Sequence, residues 1–298
     1  MTAKILRGKP VANEIEKYVK EGVDIIKSIG GDVTLAVVQV GDDQASNTYV
    51  RNKEKACERC GINTITERFD ADMDWSTLEP ELIEYINHLN GNNDITGILV
   101  QLPLPDMIRE ENVLQAISPS KDVDGFTYHN AGKMYTDKYH DAFSLKPCTA
   151  DGVLSLLFHY DIPIEGKHCV VVGRSNIVGK PVASMLLQQN ATVTVCHSKT
   201  ENLKDICKQA DILICAIGKP KFFTKEYVKD GAAVIDVGMN RDENGKLCGD
   251  VDFDNVVDVA GAITPVPGGV GVLTVAKLIE NCVNAWHTQH KNNRKGMW

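Results

Sequence analysis

The chain has 298 residues, of which 43% are hydrophobic and 24% are charged, a composition typical of soluble globular proteins. Its length predicts about two domains. The net charge of −8 argues against a nucleic-acid partner, and the lack of a long apolar run in the sequence argues against a membrane-spanning helix. The first ten residues lack the apolar core of a signal peptide, so we expect a cytosolic protein.

Nine cysteines are an odd number, and several of them lie in apolar stretches, which is typical of reduced core residues. Cys57 and Cys60 form a lone Cys-x-x-Cys in a segment with helical spacing. Without a second pair or neighbouring histidines, zinc binding and redox catalysis are both weak interpretations. We predict no metal site.

Strand and helix patterns alternate in the first half, which predicts an open α/β sheet. We expect strands at 34–40, 63–69 and 95–101 and helices at 9–28, 46–60, 75–89 and 107–117. Residues 126–146 lose this periodicity, which indicates a connection or an active-site loop.

A helix at 147–160 precedes a second alternating region. We expect strands at 169–172, 192–196, 211–216 and 232–237, and helices at 180–189, 201–209 and 224–229. Residues 261–267 look irregular, with two prolines, and a final helix covers 272–289.

The stretch 169–180 combines a buried strand, a glycine-containing turn and the start of a helix. Such a turn binds anions, because unpaired N–H groups at the helix start point into it. The spacing from Gly173 to Gly179 is Gly-x5-Gly and not the common dinucleotide fingerprint Gly-x-Gly-x-x-Gly. An ordinary strand-to-helix turn is the alternative.

The end of the next strand reads Cys-His-Ser-Lys-Thr at 196–200 and contains no acidic residue. Enzymes that use NAD place an acid there for the ribose hydroxyl. Arg174, which follows the first glycine, suits a ribose 2′-phosphate instead. If a dinucleotide binds, NADP is favoured.

Four polar residues of the first half carry further hypotheses. Tyr49 and Lys53 share one face of the helix at 46–60, although a solvated basic face is the alternative for the lysine. Gln101 ends an apolar strand, where ligand sites of open α/β sheets lie, and the prolines after it make a cis peptide plausible. Asp124 stands in a turn with Asp122, where an Asx-turn is the alternative.

These residues belong to motifs that resemble the bifunctional methylenetetrahydrofolate dehydrogenase/methenyltetrahydrofolate cyclohydrolase family. The likeness runs essentially from end to end, and its motifs occur in the family's order. The matching stretches are residues 49–53, 100–105, 121–125, 146–149, 171–179, 196–200, 236–238, 249–251 and 264–271.

The resemblance implies two α/β domains with a folate-binding catalytic cleft between them, the second being a Rossmann-like domain for NADP. It places residues 1–146 and 274–298 in the folate-binding catalytic domain and residues 147–273 in the NADP-binding domain. It also implies a homodimer that oxidises 5,10-methylenetetrahydrofolate with NADP and hydrolyses the 5,10-methenyl product to 10-formyltetrahydrofolate.

The resemblance also implies the site residues. The catalytic candidates are Lys53, Gln101 and Tyr49; the folate-binding residues are these three with Leu102, Asp124, Pro265, Gly268 and Gly269. The NADP-binding residues are Gly173, Arg174, Ser175, Ile177, Val178, His197, Ser198 and Thr264. Ala150 and the pair Val272 and Leu273 depart from residues that are common in the family, without affecting the catalytic set.

Two other classes of protein compete with this interpretation. An amino-acid or shikimate dehydrogenase would share the pattern of the second half, but we would not expect it to carry the motifs at 49–53, 100–105 and 121–125 together. A non-catalytic folate-binding protein would bind without turnover. An absorbance assay for methenyltetrahydrofolate formation distinguishes all three.

Overall fold

A computed structural model describes residues 3–71, 75–136 and 143–290. Its strands are β1 (Lys4–Ile5), β2 (Thr34–Val40), β3 (Asn63–Phe69), β4 (Gly97–Val100), β5 (His168–Val172), β6 (Thr192–Cys196), β7 (Ile212–Cys215), β8 (Ala233–Asp236), β9 (Asn240–Arg241), β10 (Leu247–Cys248) and β11 (Ala262–Ile263). Its α-helices are α1 (Gly8–Ser28), α2 (Gln44–Cys60), α3 (Trp75–Gly91), α4 (Glu110–Gln115), α5 (Tyr128–Tyr135), α6 (Cys148–His159), α7 (Gly179–Gln188), α8 (Leu203–Cys207), α9 (Phe253–Val256) and α10 (Gly271–His290).

The chain divides into two compact units. The six-strand unit contains the residues up to Glu14 and Thr149–Thr274, and the three-strand unit contains Ile15–Cys148 with Val275 and the residues after it. These units differ from the predicted domains chiefly at the start of the chain, because residues up to Glu14 belong with the second half. The reason is β1, which pairs with β11 of the six-strand unit.

The six-strand unit is built on a parallel sheet in the order β1-β11-β8-β7-β5-β6. Runs of apolar residues form its central strands, and all residues of β7 and β8 are buried. Val170, Leu213, Val234 and Phe223 contribute to its core. Since parallel strands end at the same edge of a sheet, the turns after β5, β6, β7 and β8 lie along one edge.

The side chains of Thr149 and Thr274, at the two ends of the long segment of this unit, contact each other. Their hydroxyl oxygens are 3.2 Å apart and share a hydrogen bond. The segment therefore leaves and rejoins the rest of the chain at neighbouring points.

The three-strand unit has a parallel sheet in the order β3-β2-β4. All seven residues of β2 are buried, whereas β3 lies at the edge and is largely exposed. Val38 and Ile98 pack with Leu82 of α3 and Val113 of α4 in a core on one face of the sheet. Helix α2 begins after Asp43, whose carboxylate accepts a hydrogen bond of 2.8 Å from the Ser46 N–H.

The mixed α/β fold confirms the predicted fold class, but two local predictions were wrong. Residues 126–146 contain helix α5, which Thr127 caps by accepting a hydrogen bond from the Asn130 N–H. This helix buries Asn130 and Met134. Because only one of these two residues is apolar, the sequence shows no helical repeat of hydrophobic residues here. Residues 137–142 of the predicted loop lie outside the described residues.

The predicted helix at 224–229 is a single 3-10 turn, Lys225–Tyr227. Strands β1 and β11 were not predicted, since two residues are too few to show an alternating or apolar pattern. In the part of the chain that the structure describes, no helix combines the length and apolarity needed to cross a membrane.

Candidate active site

Lys53 is buried although it belongs to a basic stretch of α2. Its exposed fraction is 8%, whereas Arg51 and Lys55 on either side are exposed. The alternative considered for Lys53 was a solvated basic helix face. Arg51 and Lys55 lie on such a face, but Lys53 does not. A buried ammonium group needs a polar partner, so the residue that supplies one belongs to the candidate site.

That partner is Gln101. The Lys53 Nζ donates to Gln101 Oε1 over 3.0 Å. Gln101 follows β4, and its N–H donates to the Val38 carbonyl of β2, so the residue continues the sheet. Its Nε2 donates to the Leu102 carbonyl at 2.5 Å, and the Leu102–Pro103 peptide is cis. The glutamine side chain is thereby fixed at both polar ends.

Asp124 is close to this pair in the same unit. Burial raises the pKa of its carboxyl above the ordinary value, and the nearby positive charge of Lys53 acts in the opposite direction. Asp122 increases the shift, while a hydrogen bond from the Cys148 side chain reduces it. The structure thus brings Lys53, Gln101 and Asp124 together.

The turn that carries Asp124 is held by the other acid of the motif. The carboxylate of Asp122 accepts hydrogen bonds from the N–H groups of Gly125, Phe126 and Thr127 at 2.8–3.1 Å, and one from the Asn130 amide at 2.8 Å. The Asx-turn considered for the two acids is therefore the role of Asp122 and not of Asp124.

Gly125 is required in this turn for two reasons. Its φ of 73° is in the left-handed region, and a β-carbon on it would lie 2.6 Å from the carbonyl carbon of Lys146. The motifs at 121–125 and 146–149 therefore pack against each other with no room for a side chain.

Tyr49 and Leu102 complete the predicted residues of this unit. Tyr49 lies one turn before Lys53 on α2 and is half-buried, and Leu102 is also half-buried. Residues four apart share a helix face, so Tyr49 presents its ring on the side of Lys53. Pro265, Gly268 and Gly269, also predicted to bind folate, belong to the six-strand unit, where the N–H of Gly8 donates to the Gly268 carbonyl at 2.8 Å.

The predicted cofactor turn connects β5 to α7. A β-carbon on Gly173 would lie 2.1 Å from the Ala216 carbonyl oxygen, so the turn is pressed against the loop after β7. Ser175 Oγ accepts hydrogen bonds from the N–H groups of Val178 and Gly179, at 3.1 and 3.3 Å. Arg174 is exposed beside them, whereas Ile177 is half-buried. A close backbone turn with an exposed guanidinium fits a phosphate-bearing cofactor.

The other predicted cofactor residues follow β6 and β11. His197 is half-buried and Ser198 is exposed at the end of β6, with no carboxylate in the segment 196–200. Thr264 is buried, and its Oγ1 accepts a hydrogen bond of 2.7 Å from the Asp236 N–H. The β6 end therefore offers hydroxyl and imidazole groups, while Thr264 supports the neighbouring backbone.

Sequence reasoning gave no role to Asp236 and Asp250, which the structure buries at the carboxyl edge of the larger sheet. Asp250 accepts from the N–H groups of Ile217, Gly218 and Lys219, and from the Asn240 amide, at 2.6–3.1 Å. Asp236 accepts from the N–H groups of Gly238, Asp250 and Val251. Their position in two family motifs was the signal available in the sequence.

Cys57 and Cys60 show neither a disulfide nor an activated thiol. Both are free and buried, and burial raises the pKa of Cys57 to about 12 and that of Cys60 to about 11. Among residues 3–71, 75–136 and 143–290, no three acidic, histidine or cysteine side chains form a group able to hold a metal ion.

Comparison with known proteins gives matches along nearly the whole chain. The family models described as tetrahydrofolate dehydrogenase/cyclohydrolase, catalytic domain and NAD(P)-binding domain, match residues 6–124 and 147–290. The bifunctional protein FolD of Lachnoclostridium phytofermentans is 57% identical over 281 residues, which are 94% of this chain and 97% of the relative.

Two solved structures extend the match to three dimensions. The bifunctional FolD enzyme of Campylobacter jejuni, a methylenetetrahydrofolate dehydrogenase/cyclohydrolase, has a TM-score of 0.91 and 44% identity, covering 96% of this chain and 99% of its own. The Trypanosoma brucei enzyme, solved with NADP and an inhibitor, has a TM-score of 0.89 and 37% identity, covering 97% and 99%. The resemblance of the motifs is thus confirmed, and the chain belongs to the tetrahydrofolate dehydrogenase/cyclohydrolase family.

Proposed function

We propose that this protein oxidises 5,10-methylenetetrahydrofolate to 5,10-methenyltetrahydrofolate with NADP and hydrolyses that product to 10-formyltetrahydrofolate. The observation that carries the proposal is the buried Lys53–Gln101 pair next to Asp124, in a chain of this family. The Campylobacter jejuni and Trypanosoma brucei enzymes carry both activities in their names.

The dehydrogenase step depends mainly on orientation. When bound, NADP accepts the hydride that leaves the one-carbon bridge. The nitrogen lone pairs of the folate stabilise the resulting cation, so no protein group has to transfer a proton in this step. Gly173, Arg174 and Ser175 hold the cofactor phosphates on one turn, with Ile177, Val178, His197, Ser198 and Thr264 completing the site.

The cyclohydrolase step requires proton transfer. Water loses a proton as it adds to the one-carbon unit, and a folate nitrogen gains a proton as the ring opens. Lys53 holds and moves these protons through its Nζ. Gln101 accepts a hydrogen bond from that atom and so fixes its position. Tyr49, one turn earlier on the same helix, covers the folate.

Asp124 recognises the pterin ring. An ionised carboxylate accepts hydrogen bonds from the ring N–H and the amino group, which a neutral side chain of the same size does less well. Leu102 of the three-strand unit also contacts the folate, as do Pro265, Gly268 and Gly269 of the six-strand unit.

The test replaces Lys53 by methionine, which matches the unbranched stem of the side chain and removes the ammonium group. Lys53→Met is expected to lower the cyclohydrolase rate by at least about 100-fold, the size of a lost acid/base group, while folate still binds. The measurements are the absorbance decay of methenyltetrahydrofolate and equilibrium binding of the folate.

Lys55→Met is the matched control, because Lys55 is two positions away on the same helix and exposed. It should leave both activities within about twofold of the wild type, as surface changes usually do. Normal hydrolysis by Lys53→Met would remove Lys53 from the mechanism.

We further propose that the enzyme is a cytosolic homodimer. All nine cysteines are free, which suits a reducing compartment. Among the described strands β3 pairs with β2 alone, and Ile65 on it is 46% exposed, so a second copy has an open edge to cover. A monomer mass in sedimentation at micromolar concentration would contradict the dimer.

A further inference from the structure

Helix α10 returns the chain to the three-strand unit and brings one buried amide, Asn281, to the Asp124 turn. Asn281 has an exposed fraction of 4%. Its Nδ2 donates to the carbonyls of Val123 and Lys146, each at 2.8 Å, and lies 3.6 Å from the Cys148 sulfur. One amide NH2 group thus joins the family motif that contains Asp124 to the motif at 146–149.

The contact with Val123 acts directly on Asp124. The Val123 carbonyl and the Asp124 N–H belong to the same planar peptide group, so fixing one fixes the other. On its other side the turn is held by β4, where the Ile98 N–H donates to the Lys121 carbonyl at 2.8 Å. The Asp124 backbone is therefore fixed between the strand that leads to Gln101 and helix α10.

Cys148 adds a second contact to the same place. Its sulfur lies 3.3 Å from the Val123 carbonyl oxygen and within hydrogen-bonding reach of the Asp124 carboxylate, so its single S–H can donate to either acceptor. The next residue on α10, Cys282, is fully buried and senses the charge of Asp124. Helix α10 consequently passes close to the carboxylate as well as to the backbone of its turn.

We propose that Asn281 is a positioning residue for folate binding, which sets the orientation of the Asp124 carboxylate by fixing the peptide group before it. The proposal rests on the folate-binding role proposed for Asp124. Asn281 does not need to touch the substrate. Without it, both carbonyls would lose their amide donor, the Val123 carbonyl would keep only the weaker Cys148 thiol, and the turn would relax to find water.

The experiment compares Asn281→Ala with Gln289→Ala, a matched control on the same helix. The Gln289 amide also donates to two backbone carbonyls, those of Thr96 and Ser120, but neither belongs to the Asp124 turn. Steady-state dehydrogenase kinetics give kcat and the KM values for folate and NADP, and chemical denaturation gives the stability of each variant.

Asn281→Ala is expected to raise the KM for the folate about tenfold, because two hydrogen bonds that hold the Asp124 turn are lost. The KM for NADP should stay within about twofold of the wild-type value. Gln289→Ala should lower stability while both KM values stay at the wild-type level. If Asn281→Ala does not fold, Asn281→Ser keeps one donor on a smaller side chain, and the same rise in folate KM, of smaller size, is expected.

A double mutant separates the inference from the function on which it rests. If Asn281 acts through Asp124, Asn281→Ala in an Asp124→Ala background should raise the folate KM no further. A wild-type folate KM in Asn281→Ala, with lower stability, would overturn the inference and leave the role of Asp124 intact. A wild-type folate KM in Asp124→Ala would overturn that role and the inference with it.

Discussion

Both units bury carboxylates near the ends of their strands, but they use them differently. Asp250 in the six-strand unit accepts three backbone N–H groups and one amide, and it holds the loop after β7. Asp124 in the three-strand unit faces the charge of Lys53 and the thiol of Cys148 instead. A carboxylate surrounded by backbone donors has a structural role, whereas one that faces ionisable side chains is placed for a ligand.

The largest expected effect is on stability, and it distinguishes the Asp250 carboxylate from the Asp124 carboxylate. Asp250→Ala leaves four partly buried donors without their buried acceptor, so we expect the free energy of unfolding to fall by about 4 kcal/mol. Asp124→Ala should change it by less than about 1 kcal/mol, because burial already disfavours that charge. The folate KM of Asp124→Ala should instead rise at least about tenfold. Urea denaturation and dehydrogenase kinetics provide the measurements, and the opposite pattern would refute the comparison.

The second prediction concerns an exposed charge of the six-strand unit. Arg174→Ala should raise the KM for NADP by about 10- to 100-fold, the range of one lost charge-assisted phosphate contact, and leave the KM for NAD unchanged. Lys180 is the control, since it is also exposed near this turn and its Nζ binds Asn176. Lys180→Ala should keep the preference for NADP. A preference that survives Arg174→Ala would show that the arginine does not bind the 2′-phosphate.

The third prediction is a pH dependence of stability. Burial raises the pKa of Asp236 from an ordinary value of 3.8 to about 7, against the hydrogen bonds from Val251, Asp250 and Gly238. Above pH 7 the carboxyl is ionised in the folded and unfolded chains, and the whole cost of burying its charge lowers stability. As the pH falls from 7 towards 4, the folded chain takes up a proton that the unfolded chain does not, and this cost is relieved.

Asp236→Asn removes the titrating group and should therefore remove the gain in stability on lowering the pH. The free energy of unfolding of the wild type, relative to Asp236→Asn, is expected to be higher at pH 5 than at pH 8 by about 2.5 kcal/mol. Denaturation curves of both proteins at the two pH values measure the difference. An equal difference at both values would show that Asp236 does not titrate in this range.

The sequence was sufficient for the strands that form mainly apolar runs, such as β2 and β5, because burial on both faces favours apolar residues. It was insufficient for α5, which buries one polar and one apolar residue, and for two-residue β1, whose place is set by pairing with β11. Lys53 shows the same limit within the site. Its type and spacing do not distinguish it from Arg51 and Lys55, and only the packing of α2 on the sheet buries it.

Asp250 and Asn281 were beyond local sequence patterns, because their partners are far away along the chain. Asp250 binds residues 31–33 positions earlier, and Asn281 binds Val123 from 158 positions away. Most of their partners are backbone groups, which have no residue type of their own to recognise. Asp250 is therefore visible in the sequence only as part of the motif at 249–251, and Asn281 lies in none of the matching stretches.

The hydrogen bond between Thr149 and Thr274 has a consequence for how the three-strand unit folds. The long segment of the six-strand unit interrupts that unit in sequence, yet its ends meet at these two hydroxyls. A disordered loop of this length would impose an entropy cost on bringing its ends together. Because the inserted segment folds with its ends adjacent, it behaves as a short loop, and Asn281 reaches Lys146 almost as if the chain between them had been removed.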